Sequence, residues 1–252
     1  MTGSELYLDL LKRVLTDTLF EAEPDANASD ATFVLQFLNH YVRGNAITML
    51  PLARMDNLQF CVTDVINRNV PGDLIETGVW RGGATIFMRA ILKAFKVTDR
   101  TVWAADSFEG LPEPDASRFP LEAKAHQGPV MQHGFNRFAA SLEDVQKNFA
   151  AFGLLDEQTR FVKGWFKDTL ADAPISKLAV MRLDGDYHES TMDALTSLYD
   201  KLSIGGYVII DDYGESSWTY CRKAVDEFRD KRGIVEALNP VDGCCVYWQR
   251  AR

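Results

Sequence analysis

Four aspartates carry the strongest chemical signal in this chain. Asp184 and Asp186 stand in Leu-Asp-Gly-Asp-Tyr, and Asp211 and Asp212 in Ile-Ile-Asp-Asp-Tyr, each pair closing a short apolar run that reads as a strand. Carboxylates gathered at neighbouring strand ends repel one another and shift each other's pKa strongly unless a cation compensates. Oxygen donors, with no His or Cys set at ligand spacing, describe Mg²⁺ better than Zn²⁺. Strand-end aspartates also cap helices, but that alone is the poorer account of four on one sheet edge.

Two earlier motifs fall at equivalent places. Glu76-Thr-Gly-Val-Trp-Arg-Gly-Gly83 joins a strand to a helix with the spacing G-x-x-x-G-G, which is not the G-x-G-x-x-G of a pyrophosphate-binding turn. Its glycines, Gly78, Gly82 and Gly83, permit a tight turn and close approach to a ligand. The free N–H groups of the next helix offer donors to an anionic group. An acid at Glu76 suits a ligand whose reactive end carries a sulfonium and an ammonium, as S-adenosylmethionine (SAM) does. Taken alone, such a turn serves structural ends about as often. Ala105-Asp-Ser-Phe-Glu-Gly-Leu-Pro112 places Asp106, followed by Ser107, where a carboxylate can accept from both ribose hydroxyls of a nucleoside; an Asp capping its own turn is the competing reading. Gly164-Trp-Phe-Lys-Asp-Thr169 follows the next strand, where Trp165 or Phe166 could flank an adenine or simply fill the core.

These residues need a scaffold that brings strand ends to one edge. From about residue 5 to residue 65 apolar positions recur at helical spacing, interrupted by a polar stretch over residues 21–30, which predicts a helical N-terminal extension. Beyond Gly72, apolar runs near 74–76, 101–105, 160–162, 178–183 and 207–210 alternate with amphipathic segments at 84–95, 142–152, 191–202 and 219–231. That alternation predicts a parallel sheet covered on both faces by helices. Runs at 234–238 and 245–248 around Asn239-Pro-Val-Asp-Gly243 predict a closing antiparallel hairpin. Residues 111–138 form a long polar stretch containing Phe119, Met131, Phe135 and Phe138, expected to act as a lid rather than as a disordered insertion.

Composition narrows the partners. With 252 residues, 46% of them hydrophobic, the chain can bury one large core, and a net charge of -9 without a Lys/Arg run excludes a phosphate-tracking nucleic-acid surface. Every apolar run falls far short of the roughly 20 residues of a membrane span, and the first residues lack a signal-peptide pattern. Cys61, Cys221, Cys244 and Cys245 show no ligand or redox spacing and read as thiols of a reducing, cytoplasmic compartment. His40, His126, His133 and His188 have no ligand spacing either; His188 lies near the aspartates, and His126 and His133 fall in the lid.

In order and spacing, ETGVWRGG, ADSFEGLP, GWFKDT, LDGDYHESTMD and IIDDY resemble the macrocin O-methyltransferase family, the deoxysugar O-methyltransferases of the mycinamicin, tylosin and novobiocin type. The likeness runs from SELYLDLLKRVL through residues 55–59 to VYWQR. It implies a Rossmann-like class I SAM-dependent methyltransferase fold, a seven-stranded, mostly parallel sheet with an antiparallel last strand. An N-terminal helical arm (1–70), used in homo-oligomerisation to a dimer or higher, would precede a catalytic domain (71–252) carrying the lid. By matching positions it implies Asp184, Asp211 and Asp212 as Mg²⁺ ligands and Asp186 as general base. SAM contacts would come from Glu76, Thr77, Gly78, Arg81, Gly82, Gly83, Asp106, Ser107, Gly164 and Trp165. The implied reaction methylates a deoxysugar hydroxyl of a glycosylated natural product in antibiotic biosynthesis, macrolides among them. A metal-dependent catechol or phenolic O-methyltransferase is the nearest alternative, and an NAD-dependent oxidoreductase a more distant one.

Overall fold

A computed structural model describes residues 1–24, 44–128, 139–214 and 219–252, with Thr32, Gln36 and Leu38–Val42 between the first two stretches. Seven strands form one sheet in the order β3-β2-β1-β4-β5-β7-β6: β1 Asp73–Thr77, β2 Val102–Asp106, β3 Thr159–Lys163, β4 Leu178–Leu183, β5 Leu202–Ile210, β6 Asn239–Pro240 and β7 Val246–Gln249. The first five pair in parallel, and β7 runs against both of its neighbours. The central strands are apolar almost throughout, as burial on both faces requires, and β4 (LAVMRL) is buried at every position.

Helices α1 Gly3–Leu15, α2 Leu52–Asn67 and α3 Gly83–Ala94 cover one face. Thr2 and Glu5 start α1 with a capping box, the Thr2 hydroxyl accepting from the Glu5 N–H and the Glu5 carboxylate from the Thr2 N–H. Leu8, Leu11 and Leu15 of α1 and Met55, Leu58 and Val62 of α2 share one apolar core with Leu74 and Phe87. The N-terminal helices are therefore built into the wall of the domain. The other face carries α6 Phe166–Thr169, α7 His188–Leu198 and α8 Thr219–Arg232, while α5 Leu142–Ala151 packs near β3. No helix among the described residues is long and apolar enough to cross a membrane. Cys61, Cys221 and Cys245 are buried, free thiols.

Three boundaries differ from expectation. β5 begins at Leu202, five residues before the apolar run at Tyr207, because Gly205 (φ 84°) and Gly206 carry an irregularity where an added Cβ at Gly206 would meet the Ala179 carbonyl. The closing hairpin pairs only Asn239 and Pro240 with β7, not residues 234–238, and Pro240, lacking an N–H, suits a short edge strand. Within 111–138, expected as an unbroken loop, Pro120–His126 form helix α4, with Pro at its first position. Residues 129–138, with Met131, His133, Phe135 and Phe138, lie outside the described residues, as does most of the polar stretch over residues 21–30.

Candidate active site

Backbone hydrogen bonds carry the sheet ladder past the strand ends and bring the motifs to one edge. Gly78 N–H donates to the Ala105 carbonyl (2.9 Å), Asp184 N–H to Thr77 (2.9 Å), Asp211 N–H to Leu183 (3.0 Å) and Gly164 N–H to Asp106 (2.9 Å). A cleft of about 690 Å³ opens over this edge, where strand order reverses between β1 and its two neighbours. Of the residues assigned to the cofactor by sequence, Gly78, Asp106, Ser107, Gly164 and Trp165 line it. Met49 and Trp80 line it as well, and only the fold discloses Met49.

The remaining assigned residues sit behind the cleft wall. Glu76 is buried, accepting from the Thr85 hydroxyl and from Arg182 (2.6 Å), so it is a counter-charge inside the sheet rather than a surface facing the cleft. Burial pushes its carboxyl up to about 7 despite Arg182. Thr77 is likewise buried. Arg81 donates to the Ala46 carbonyl (2.8 Å) and lies over the Trp80 ring, tying down the segment before α2. Gly83 donates its N–H to the Ile47 carbonyl (3.0 Å), and a Cβ there would fall 2.7 Å from that oxygen. This start of α3 is covered by chain, not open to an anion. Gly82, in the left-handed region (φ 94°), makes the turn into α3 against Val145.

Gly78 joins two motifs. At φ 84° it passes so close to β4 that a Cβ would lie 1.7 Å from the Asp184 carbonyl oxygen. Gly78→Ala is expected to destabilise the protein by about 1–3 kcal/mol, the usual range for forced overpacking, and to spread the β1 and β4 turns; thermal unfolding and SAH titration check this. Asp106 fixes the same loop: its Oδ2 accepts from Val79 N–H (2.6 Å) and its Oδ1 from Phe108 N–H (2.8 Å). Burial nonetheless raises its pKa.

The four aspartates separate into two kinds. Asp184, Asp186 and Asp212 each place a carboxylate oxygen within 4.8 Å of the other two. Asp211, assigned to the cation by sequence, lies outside that trio: Arg54 Nη1 donates to its Oδ2 (2.6 Å) and Arg182 Nη2 stands 2.6 Å from its Oδ1. Those two guanidiniums outweigh burial and hold Asp211 below the usual carboxylate range. Burial and the charge of Asp211 push Asp184 up to about 6, although Arg182 also donates to it (3.0 Å). Asp186 and Asp212 have no ion-pair partner among the described residues, and Asp212 Oδ2 is buried without a hydrogen bond among them. Burial, then the neighbouring carboxylates, raise both far above normal. Glu76 and the four aspartates thus face two arginines, one of which, Arg54, is shared with Asp242 (2.7 Å). An all-oxygen trio with surplus negative charge and an unsatisfied buried oxygen fits a hard dication.

Asp186 itself has φ 56°, a conformation that non-glycine residues adopt at a cost and that recurs at functional sites. His188 does not enter the trio; its Nε2 lies 2.9 Å from Glu227. His126 Nδ1 lies 2.8 Å from the Tyr187 hydroxyl. His40 is remote, bonded to the Thr16 carbonyl.

Comparison with known proteins agrees with this fold. The family model Macrocin-O-methyltransferase (TylF) matches residues 42–250. Demethyldecarbamoylnovobiocin O-methyltransferase of Streptomyces niveus is 48% identical over 256 residues, covering 100% of this chain and 95% of that protein. Mycinamicin III 3''-O-methyltransferase of Micromonospora griseorubida is 45% identical, with 99% and 98% covered. The solved O-methyltransferase NovP superposes with a TM-score of 0.86 at 47% identity, over 99% of this chain and 100% of that one. A calicheamicin methyltransferase (TM-score 0.61, 18% identity, 99% and 93% covered) shares the fold.

Proposed function

From the premise that this chain belongs to the macrocin O-methyltransferase family, and is therefore an O-methyltransferase of the SAM-dependent fold, we propose that it methylates a deoxysugar hydroxyl of a glycosylated natural product with the help of Mg²⁺. The observation that carries this reading is the Asp184, Asp186 and Asp212 trio, of which Asp184 and Asp186 line the cleft together with Gly78 and Asp106. Asp106, Ser107, Gly164 and Trp165 line the part of the cleft suited to the adenosyl group.

A sugar hydroxyl is a weak nucleophile at neutral pH, so a base must take its proton as the methyl group moves. We assign that role to Asp186, which lines the cleft and has no ion-pair partner among the described residues. Asp184 and Asp212 would hold the Mg²⁺, with Asp211 as the third ligand that the family correspondence implies, shared with the arginines. A bound dication would lower the pKa of the hydroxyls it contacts. The walls of the cleft then fix the acceptor oxygen and the methyl group in line, a contribution of several kcal/mol by proximity, about 7 or more in favourable cases.

We take the acceptor to be hydroxyl-rich rather than a phenol, because Glu113, Arg118, Glu189 and Asp193 are among the residues that line the cleft. The homo-oligomer belongs to the same proposal: Leu6, Leu10 and Val14 form an exposed stripe along α1, opposite its buried face, suited to a second copy of the chain.

Transfer of labelled methyl from SAM to a panel of deoxysugar glycosides and catechols, with and without EDTA, tests the proposal. Expected are methylation of a glycoside, loss of at least about 10²-fold in rate on chelation, in line with metal acidification of the nucleophile, and recovery with Mg²⁺. Full activity after exhaustive chelation would contradict the metal, and a catechol preference would contradict the acceptor.

A further inference from the structure

Helix α4 and the residue pair before it grip a single short stretch of chain, and that stretch directly follows Asp186. Arg118 Nη1 donates to Glu189 (2.6 Å), and the Phe119 ring stacks on His188 with centroids 4.7 Å apart. Glu122 Oε1 accepts from the His188 backbone N–H (2.7 Å), and His126 Nδ1 lies 2.8 Å from the Tyr187 hydroxyl. Residues 187, 188 and 189 are thus each held by side chains from residues 118–126.

Glu122 differs from the rest of this set because its contact is to backbone and is out of solvent, with 1% exposure. His188 is the first residue of α7, and the N-cap residue, Tyr187, supplies no side-chain cap. A carboxylate from another element therefore does what an N-cap side chain ordinarily does, accepting from an orphan N–H at the positive end of the helix. A buried carboxyl is costly to place, and burial pushes this one up to about 7. Two residues earlier, Asp186 sits in the left-handed region and persists there only if its surroundings dictate the conformation.

We infer that Glu122 is a positioning residue: by capping α7 from another element it holds the chain after Asp186 and so sets where the Asp186 carboxylate points. The inference rests on the proposed role of Asp186 as the base. It also makes α4, whose Glu122 lines the cleft, part of the catalytic alignment.

The test uses the full-length protein with three variants, Glu122→Ala, Glu122→Gln and Asp186→Asn, measuring kcat, acceptor KM and SAH affinity. Misplacement by about 1 Å is enough to cost about 10²-fold in rate. Glu122→Ala is expected to lower kcat by about 10- to 100-fold, while acceptor KM and SAH affinity change less than about threefold. Glu122→Gln retains an oxygen that can accept from His188 N–H and is expected to restore most of kcat. A rise in KM with kcat intact would make Glu122 an acceptor contact and overturn the positioning role, as would a glutamine variant no better than the alanine one. If Asp186→Asn turns over at the wild-type rate, the base assignment fails and the inference falls with it. If Asp186→Asn is inactive while Glu122→Ala keeps its kcat, only the inference falls. Should Glu122→Ala not fold, hydrogen exchange decides: a His188 amide in the folded wild-type protein exchanging as freely as an exposed one would remove the cap.

Discussion

Asp186→Asn is expected to lower methyl transfer by about 10²–10⁴-fold, the usual worth of a general base, while SAH binding stays near the wild-type level. The substitution removes a proton acceptor and keeps the shape of the side chain. Asp186 lines the cleft without pairing to a cation among the described residues, so no ion pair is broken by the change. Mg²⁺ titration by calorimetry adds a second discriminator. With Asp186 as base and Asp211 as ligand, magnesium affinity survives Asp186→Asn and drops in Asp211→Asn. The opposite pattern would place Asp186 in the coordination sphere, where the geometry of the trio also allows it, and another group would then have to take the proton.

Arg182→Met is expected to destabilise the protein by about 3–5 kcal/mol, because removing one member of a buried charge set leaves the others uncompensated. Arg182 is 1% exposed near the C-terminal end of β4 and reaches Glu76, Asp184 and Asp211 at 2.6, 3.0 and 2.6 Å. For a chain of this size the loss corresponds to a thermal midpoint lower by on the order of 10 °C. Adding Glu76→Gln to Arg182→Met should recover part of it by deleting one stranded carboxylate. Equal stability of Arg182→Met and wild type would mean that the arginine does not compensate these acids, and the electrostatic account of the site would need replacing.

The stability and the chemistry of the site meet in these two arginines. Arg54, from α2, joins Asp211 to Asp242 in the closing hairpin, so the N-terminal helix and the last strands both help fix the strand end that bears Asp212. Asp211 is thereby paired with two arginines, whereas Asp186 and Asp212 have no ion-pair partner among the described residues. A cation binding beside them would meet acids of two kinds, one already compensated and two not.

Much of this was legible in residue types and spacing. Short, nearly continuous apolar runs ending in Asp106, Asp184 and Asp211, separated by amphipathic segments, specified parallel strands, and parallel strands joined by helices all finish at one edge. Helical periodicity located α3, α5 and α8 to within a few residues, because their apolar stripes alone decide which face is buried. Other features depend on partners distant in sequence. Nothing local tells Glu76 that its counter-charge is Arg182, 106 residues away, so an acid at a glycine turn reads as a ligand contact when it is an internal ion pair. The lone arginine in the apolar run LAVMRL was the available clue, since a guanidinium in a buried strand must find carboxylates. Glycines 82 and 83 looked like a ligand cradle, yet whether a helix start is open or covered depends on a loop, residues 46–48, that arrives from elsewhere in the chain. Likewise Asp184, Asp186, Asp211 and Asp212 are equivalent in sequence, and only the approach of Arg54 and Arg182 divides them. Sequence determined which residues could do chemistry and on which edge they gather, because alternation and turn chemistry are local; tertiary structure decided which charges are paid off internally and which remain for a ligand, because electrostatic compensation acts through space.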